Sequence, residues 1–235
     1  MTDLAGNLSE IVGRIDRSCI RAGRSRESVQ LIAVSKTFPA ESIREVFEAG
    51  HLVFGESRIQ EAEPKIAALP HGLSWHFIGR VQRNKVRKIL PLFDVIHGID
   101  SLKLASYVDD VSRQLGRFPK IFLQVNLAGE LSKGGFSPDE LRFEIEALQS
   151  LKQLEIVGLM TIPPPSQDSG SARHWFSALR ELRDQLETDF GMKLPGLSMG
   201  MSDDFEEAIE EGATHVRVGS AIFGRRAYRV DGELG

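Results

Sequence analysis

Short apolar runs alternate with amphipathic stretches along almost the whole chain. Leu4, Leu8, Ile11, Val12, Ile15 and Cys19 recur at helical spacing and predict an amphipathic N-terminal helix. Leu31-Ile32-Ala33-Val34 is a short apolar run with two β-branched members, which predicts a buried strand at about 30–35. Ile43, Val46 and Phe47 then mark a helix that ends near Gly50. The alternation continues with strands at 52–55, 75–78, 94–98, 121–126, 156–160, 196–198 and 215–218. Helices are expected between them at about 57–68, 82–90, 102–115, 170–189 and 203–211. Another opens at Ser137-Pro138-Asp139-Glu140, an N-cap with proline in the first helical position. Eight strands alternating with helices imply an α/β fold, a single (β/α)8 TIM-type barrel with an extra N-terminal helix, spanning residues 1–235 as one domain. No Gly-x-Gly-x-x-Gly follows the first strand, which argues against an open dinucleotide-binding sheet. Pro163-Pro164-Pro165 with Ser166 to Gly170 reads as a rim loop, and Asp231 to Gly235 as a frayed end.

Composition narrows the class. At 41% apolar residues the chain can bury a sizeable core. Its 29 basic and 33 acidic side chains leave a net charge of -4, so nucleic acid and anionic membranes are not expected as partners. Arg80, Arg83, Lys85, Arg87 and Lys88 cluster, but read as the solvated face of a helix, with Lys85 as a secondary phosphate contact in the alternative. Glu206, Glu207, Glu210 and Glu211 are likewise read as solvent-facing. One cysteine, Cys19, cannot form an internal disulfide and fits a reducing compartment. With no signal-peptide pattern and no apolar stretch of about 20 residues, the expectation is a cytoplasmic monomer. No His/Cys cluster has metal-ligand spacing, so no metal is expected.

The candidate chemistry falls at strand ends, the active rim of such barrels. Lys36 follows the first strand, where Ile32, Val34 and Lys36 would share a face. A lysine at the edge of an apolar interior is costly to keep charged, and a neutral amine can form a Schiff base. The bland alternative is a lysine snorkelling out of a strand end. Ser198-Met199-Gly200-Met201-Ser202 and Gly219-Ser220 end the last two strands, where barrels often bind phosphate. On the eighth strand, alternation points Arg217 inward if Val216 and Val218 face the helices. A buried arginine needs a partner: either an internal carboxylate such as Glu56, or the ring nitrogen of a bound cofactor. His76 reads as a hydrogen-bonded core histidine. A reactive lysine, a phosphate cradle and an inward arginine together describe a pocket for pyridoxal 5′-phosphate.

The motifs also resemble a family. Ala33-Val34-Ser35-Lys36, Phe54-Gly55-Glu56, Trp75-His76-Phe77-Ile78-Gly79, Gln82 with Asn84-Lys85, Gln124-Val125-Asn126, Gly158 to Pro163, Ser198 to Asp204 and Val216 to Gly219 are similar to the pyridoxal-phosphate homeostasis proteins. That family shares the barrel of alanine racemase without its second domain. The resemblance implies a Schiff base between the cofactor and Lys36, phosphate contacts from Ser198, Gly200, Met201, Gly219 and Ser220, and Arg217 at the pyridine nitrogen. Two positions depart from the family pattern: Ser57 where asparagine is usual, and Gly98 where serine is common.

These readings favour a non-catalytic role. A cation at the ring nitrogen disfavours its protonation and weakens the electron sink. Racemisation would need a base on each face of the substrate carbon, and Lys36 can serve only one. The chain runs only a short way past Gly224, leaving no room for the second domain that supplies the other base in relatives. The tyrosines are Tyr107, on a helix, and Tyr228, near the end. The expectation is a protein with no catalytic residue that buffers or delivers the cofactor, with apo forms of cofactor-dependent enzymes as recipients. The alternative is an amino-acid racemase.

Overall fold

The computed structural model describes residues 2–130, 133–164 and 171–224. Eight parallel strands close into one barrel in sequence order. They are β1 (Gln30–Val34), β2 (Val53–Glu56), β3 (Ser74–Phe77), β4 (Val95–Ile99), β5 (Lys120–Gln124), β6 (Glu155–Met160), β7 (Gly196–Ser198) and β8 (His215–Val218). The ring closes where β1 pairs with β8, setting Ile32 beside Arg217. The helices are α1 (Leu4–Arg21), α2 (Ala40–Glu48), α3 (Ile59–Ala68), α4 (Val86–Ile89), α5 (Leu102–Leu115), α6 (Pro138–Gln149), α7 (Ser171–Phe190), α8 (Phe205–Glu210) and α9 (Ser220–Phe223). Periodicity therefore locates every strand to within about two residues. The basic stretch at 82–90 is divided into a 3-10 turn over Arg83–Lys85 and the single turn α4.

Strand alternation sorts the core into two parts. Leu31, Ala33, Phe54, Trp75, Phe77, Ile121, Leu123, Leu197, Val216 and Val218 face outward into the apolar layer beneath the helices. The opposite parity lines the barrel interior, where Val95, Phe122 and Met160 form a separate small cluster. His76, His97, Ser198 and Arg217 are buried polar residues of the same inward parity. Small residues make room for this filling. A Cβ on Gly55 would sit 2.8 Å from the Ile32 side chain, and one on Gly196 would sit 2.6 Å from the Phe122 ring.

The outer layer is held by conventional devices. In α1, Leu4, Leu8, Ile11, Ile15 and Cys19 form the buried stripe, and the Asp3 side chain caps the first turn by accepting from Gly6 N–H at 2.8 Å. In α6, Ser137 and Glu140 make a capping box. The acidic face of α8 differs from the expectation of a solvated surface. Glu206 pairs with Arg14, Glu210 with Arg21 and Arg173, and Glu211 with Arg173 and Arg180. The carboxylates thus bridge α1, α7 and α8, a use invisible from one helix alone. Among the described residues, no helix is long and apolar enough to cross a membrane.

A buried ion pair fixes the end of β2. Glu56 is fully buried, and Lys65 of α3 reaches it at 2.7 Å while also donating to the Ser35 carbonyl at 3.0 Å. Ser35 Oγ donates to the same Glu56 oxygen at 2.8 Å, and Glu56 Oε2 has no hydrogen-bond partner among the described residues. Burial pushes the Glu56 carboxyl upward against the pull of Lys65 and Ser35. Lys65→Met should therefore cost about 3–5 kcal/mol by leaving a buried charge uncompensated. In that variant the folded state binds the Glu56 proton more tightly than the unfolded chain. Its stability should accordingly fall as pH rises through the raised pKa, so the deficit shrinks in acid. Urea unfolding of both proteins at neutral and mildly acid pH checks this; an equal deficit at both would contradict it.

Candidate functional site

The strand-end residues meet at a cavity of about 200 Å³ on the C-terminal rim, lined by Lys36, Arg217, Ser202, Gly219 and Ser220 among others. Val34, Phe38, Ile78 and Ile162 supply its apolar wall. Lys36 lies in the turn that follows β1, where the strand gives way to a loop as expected. The neighbouring Thr37 has φ 72°, a left-handed conformation that a β-branched residue adopts at a cost. Its N–H donates to Glu61 Oε2 at 3.1 Å, and the Ser35 carbonyl on the other side is held by Lys65. The turn is thus anchored on both sides, and the half-buried Lys36 lines the cavity. Pro39 is the N-cap of α2. Phe38 stacks on Phe223 of α9 with ring centroids 5.1 Å apart, tying the lysine turn to the segment after β8.

Arg217 is inward and buried, as alternation indicated, but its partners are not carboxylates. Its guanidinium donates to Ser198 Oγ at 2.5 Å and to the Thr161 carbonyl at 2.9 Å. Glu56, the anticipated counter-ion, belongs to Lys65 instead. Burial lowers the Arg217 pKa to about 10, with Asp204 pulling the other way, so it stays cationic at neutral pH.

The five residues expected around a phosphate divide. Gly219 and Ser220 line the cavity, and α9 begins at Ser220, where the N–H groups of Ser220 and Ala221 lack intrahelical partners while those of Ile222 and Phe223 donate to the Gly219 carbonyl. Met201 lines it too, but its N–H donates to Asp204 Oδ1 at 2.6 Å. Gly200 is buried with φ 89°, where a Cβ would meet Ala208 at 2.6 Å; its carbonyl accepts from Arg217 N–H at 3.0 Å. It shapes the turn and does not line the cavity. Ser198 is fully buried beneath Arg217, with its hydroxyl also 2.8 Å from His97 Nδ1. Its inward parity on β7 puts it in the interior, away from the rim. Ser202 takes the rim position: it lines the cavity and accepts from Gly219 N–H at 3.2 Å. The Ser/Gly segment carries that signal, but only the path of the turn reveals which serine is outermost.

Other candidates take local roles. His76 is a core histidine, with Nδ1 2.9 Å from His97 Nε2. His97 carries no motif that marks it in the sequence, although its parity on β4 matches that of Val95, which points inward. Gln124 and Asn126 bind carbonyls of the loop after β5. Lys85 and Ser57 line a separate surface recess. Tyr107 stacks under the Arg83 guanidinium, 4.6 Å from its ring, and Tyr228 lies outside the described residues, as do Pro165 to Gly170 and Asp231 to Gly235. Among the described residues there is no metal-ligating cluster.

The chain is similar in sequence and fold to known proteins. The family model of the alanine racemase N-terminal domain matches residues 17–227. The pyridoxal phosphate homeostasis protein of Aquifex aeolicus is 43% identical over 222 residues, 94% of this chain and 97% of that one. The protein of the same name in Pseudomonas aeruginosa is 44% identical over 232 residues, covering 97% and 98%. Among solved structures, PipY of Synechococcus elongatus PCC7942 with PLP bound has a TM-score of 0.82 at 40% identity, over 94% of this chain and 100% of that one. Alanine racemase of Clostridium difficile 630 shares the fold, with a TM-score of 0.76 at 15% identity over 97% of this chain and 58% of its own.

Gly98 has a reason of its own. A Cβ there would lie 2.7 Å from the Gly79 carbonyl oxygen, and Gly79 in turn is pressed against Ser57, with a Cβ only 2.2 Å from its carbonyl oxygen. Neighbouring strand ends are packed backbone to backbone here, so Gly98→Ser should destabilise by about 1–3 kcal/mol through overpacking. An unchanged urea midpoint would show that these strand ends have slack.

Proposed function

The chain belongs to the alanine racemase N-terminal domain family and to its pyridoxal phosphate homeostasis proteins, and from that premise we propose that it binds pyridoxal 5′-phosphate at the rim cavity and buffers or delivers it without turning substrate over. The observation that carries this reading is that Lys36 and a buried, cationic Arg217 line one small cavity beside Ser202, Gly219 and Ser220. The residues fit the group. Lys36 offers a primary amine for covalent attachment of an aldehyde. Ser202 and Ser220 offer hydroxyls, and the first turn of α9 offers N–H groups, to a phosphate. Asp203 also lines the cavity, and Lys36 and Arg217 offset its charge toward an anionic ligand. At about 200 Å³ the cavity is smaller than the usual 300–1,000 Å³ ligand pocket and suits one substituted ring.

Bound there, the cofactor supplies an electrophilic aldehyde and, when its ring nitrogen is protonated, an electron sink. Arg217 is the group to meet that nitrogen, and a guanidinium opposes a second positive charge beside it. Among the described residues, the cavity lining holds no tyrosine, histidine or second lysine, and Asp203 is the one carboxylate there that could serve as a base. In this reading the protein acts as a monomer, and recipients would be apo enzymes that need the cofactor.

Borohydride reduction of the loaded protein, followed by peptide mass analysis, should place a pyridoxyl group on Lys36; labelling mainly at Lys85 or Lys133 would refute the assignment. Pyridoxal lacking its phosphate should bind on the order of a thousandfold more weakly, since several charge-assisted hydrogen bonds are lost. Robust racemisation of single L-amino acids by the wild type, abolished in Lys36→Ala, would replace the carrier reading with the enzyme.

A further inference from the structure

Behind Arg217 lies a line of polar side chains that the rim cavity does not use. Ser198 Oγ is 2.5 Å from Arg217 and 2.8 Å from His97 Nδ1, and His97 Nε2 is 2.9 Å from His76 Nδ1. His76 lines a second cavity of about 540 Å³ that also includes Gln30, Lys120 and His215, residues at the N-terminal ends of their strands. The chain of contacts runs through the barrel from one mouth to the other.

Its protons have one consistent assignment. Arginine only donates, so Ser198 Oγ accepts from Arg217. The single Ser198 proton then goes to His97 Nδ1, its only other partner among the described residues. His97 must carry its own proton on Nε2 and give it to His76 Nδ1, which leaves the His76 proton on Nε2. The reverse order would strand the Ser198 hydroxyl without an acceptor. In this order every neutral dipole turns its negative end toward Arg217. We infer that Ser198 and His97, with His76 behind them, form a one-way hydrogen-bond relay that holds Arg217 charged and oriented with no carboxylate in contact with it among the described residues, which makes His97 a positioning residue for the guanidinium.

Two further observations support the relay. Burial holds His76 down to about 3 and His97 well below the ordinary histidine value, with the neighbouring imidazoles adding to it, so both rings are neutral. The His97 ring also stacks on Phe122, with centroids 4.5 Å apart and planes 22° apart, which locks its orientation. A carboxylate in place of the relay would neutralise Arg217; dipoles leave its charge available to a ligand. The use of that charge rests on the cofactor reading above, whereas the relay stands on the ligand-free geometry.

The test has two arms. In the ligand-free chain with ¹⁵N-labelled histidine, long-range ¹H–¹⁵N spectra should show His97 and His76 as neutral Nε2–H tautomers from about pH 6 to 8. Either ring in the Nδ1–H form, or His97 titrating in that range, would overturn the relay. In the second arm, His97→Phe keeps the stack on Phe122 but removes the acceptor, whereas His97→Asn returns an amide oxygen. Pyridoxal 5′-phosphate should bind on the order of tenfold more weakly to the Phe variant and recover in the Asn variant. Equal affinity in all three would remove the positioning role. If the Phe variant does not fold, the tautomers of the wild type still decide. If the wild type binds no cofactor, the cofactor reading fails while the first arm still judges the relay.

Discussion

A guanidinium buried inside a parallel barrel constrains everything around it. Arg217 keeps its proton at neutral pH and must be hydrogen-bonded where water does not reach. Its guanidinium answers that demand with the Ser198 hydroxyl and the Thr161 carbonyl, and among the described residues no carboxylate touches it. Thr161 is itself fixed, its hydroxyl donating to the Val125 carbonyl at 3.0 Å. The interior therefore mixes the buried polar residues His76, His97, Ser198 and Arg217 with a small apolar cluster of Val95, Phe122 and Met160, and the inward glycines Gly55 and Gly196 let large neighbours fill what remains. The interior keeps one positive charge, and the rim cavity is where a ligand can meet it.

The same cavity receives Lys36 from a turn that is held, not merely placed. The buried Glu56–Lys65 pair ties β2 and α3 to the Ser35 carbonyl, and Glu61 of α3 ties down the N–H of strained Thr37. Phe38 against Phe223 joins this turn to α9. Backbone strain beside the cavity lysine is tolerable only when the surroundings over-determine it, and these contacts do so. Two basic side chains around a small cavity favour an anionic occupant, which gives the phosphate-bearing cofactor its electrostatic rationale.

Much of this was legible in the chain itself, for identifiable reasons. Strand positions follow from short apolar runs between helical periodicities, and the inward direction of Arg217 follows from Val216 and Val218 needing the helix-facing side. Proximity across the barrel was not legible. Glu56 finds Lys65 nine positions away on α3, and no one-dimensional pattern favours that partner over Arg217. Ser198 and Ser202 lie in one segment, yet parity buries the first beneath Arg217 while the turn at Gly200 brings the second to the rim. His97 sits in an otherwise ordinary strand, and its meaning comes only from His76 on the neighbouring strand and Ser198 on a distant one.

If Arg217 meets the cofactor as proposed, its positive charge keeps the ring nitrogen unprotonated, which separates holding the cofactor from using it. The direct measurement is the ¹⁵N chemical shift of pyridoxal 5′-phosphate labelled at the ring nitrogen and bound to the wild-type chain near neutral pH. The expected result is the shift of a neutral pyridine, moving toward the pyridinium value in Arg217→Glu. A pyridinium shift in the wild type would contradict it.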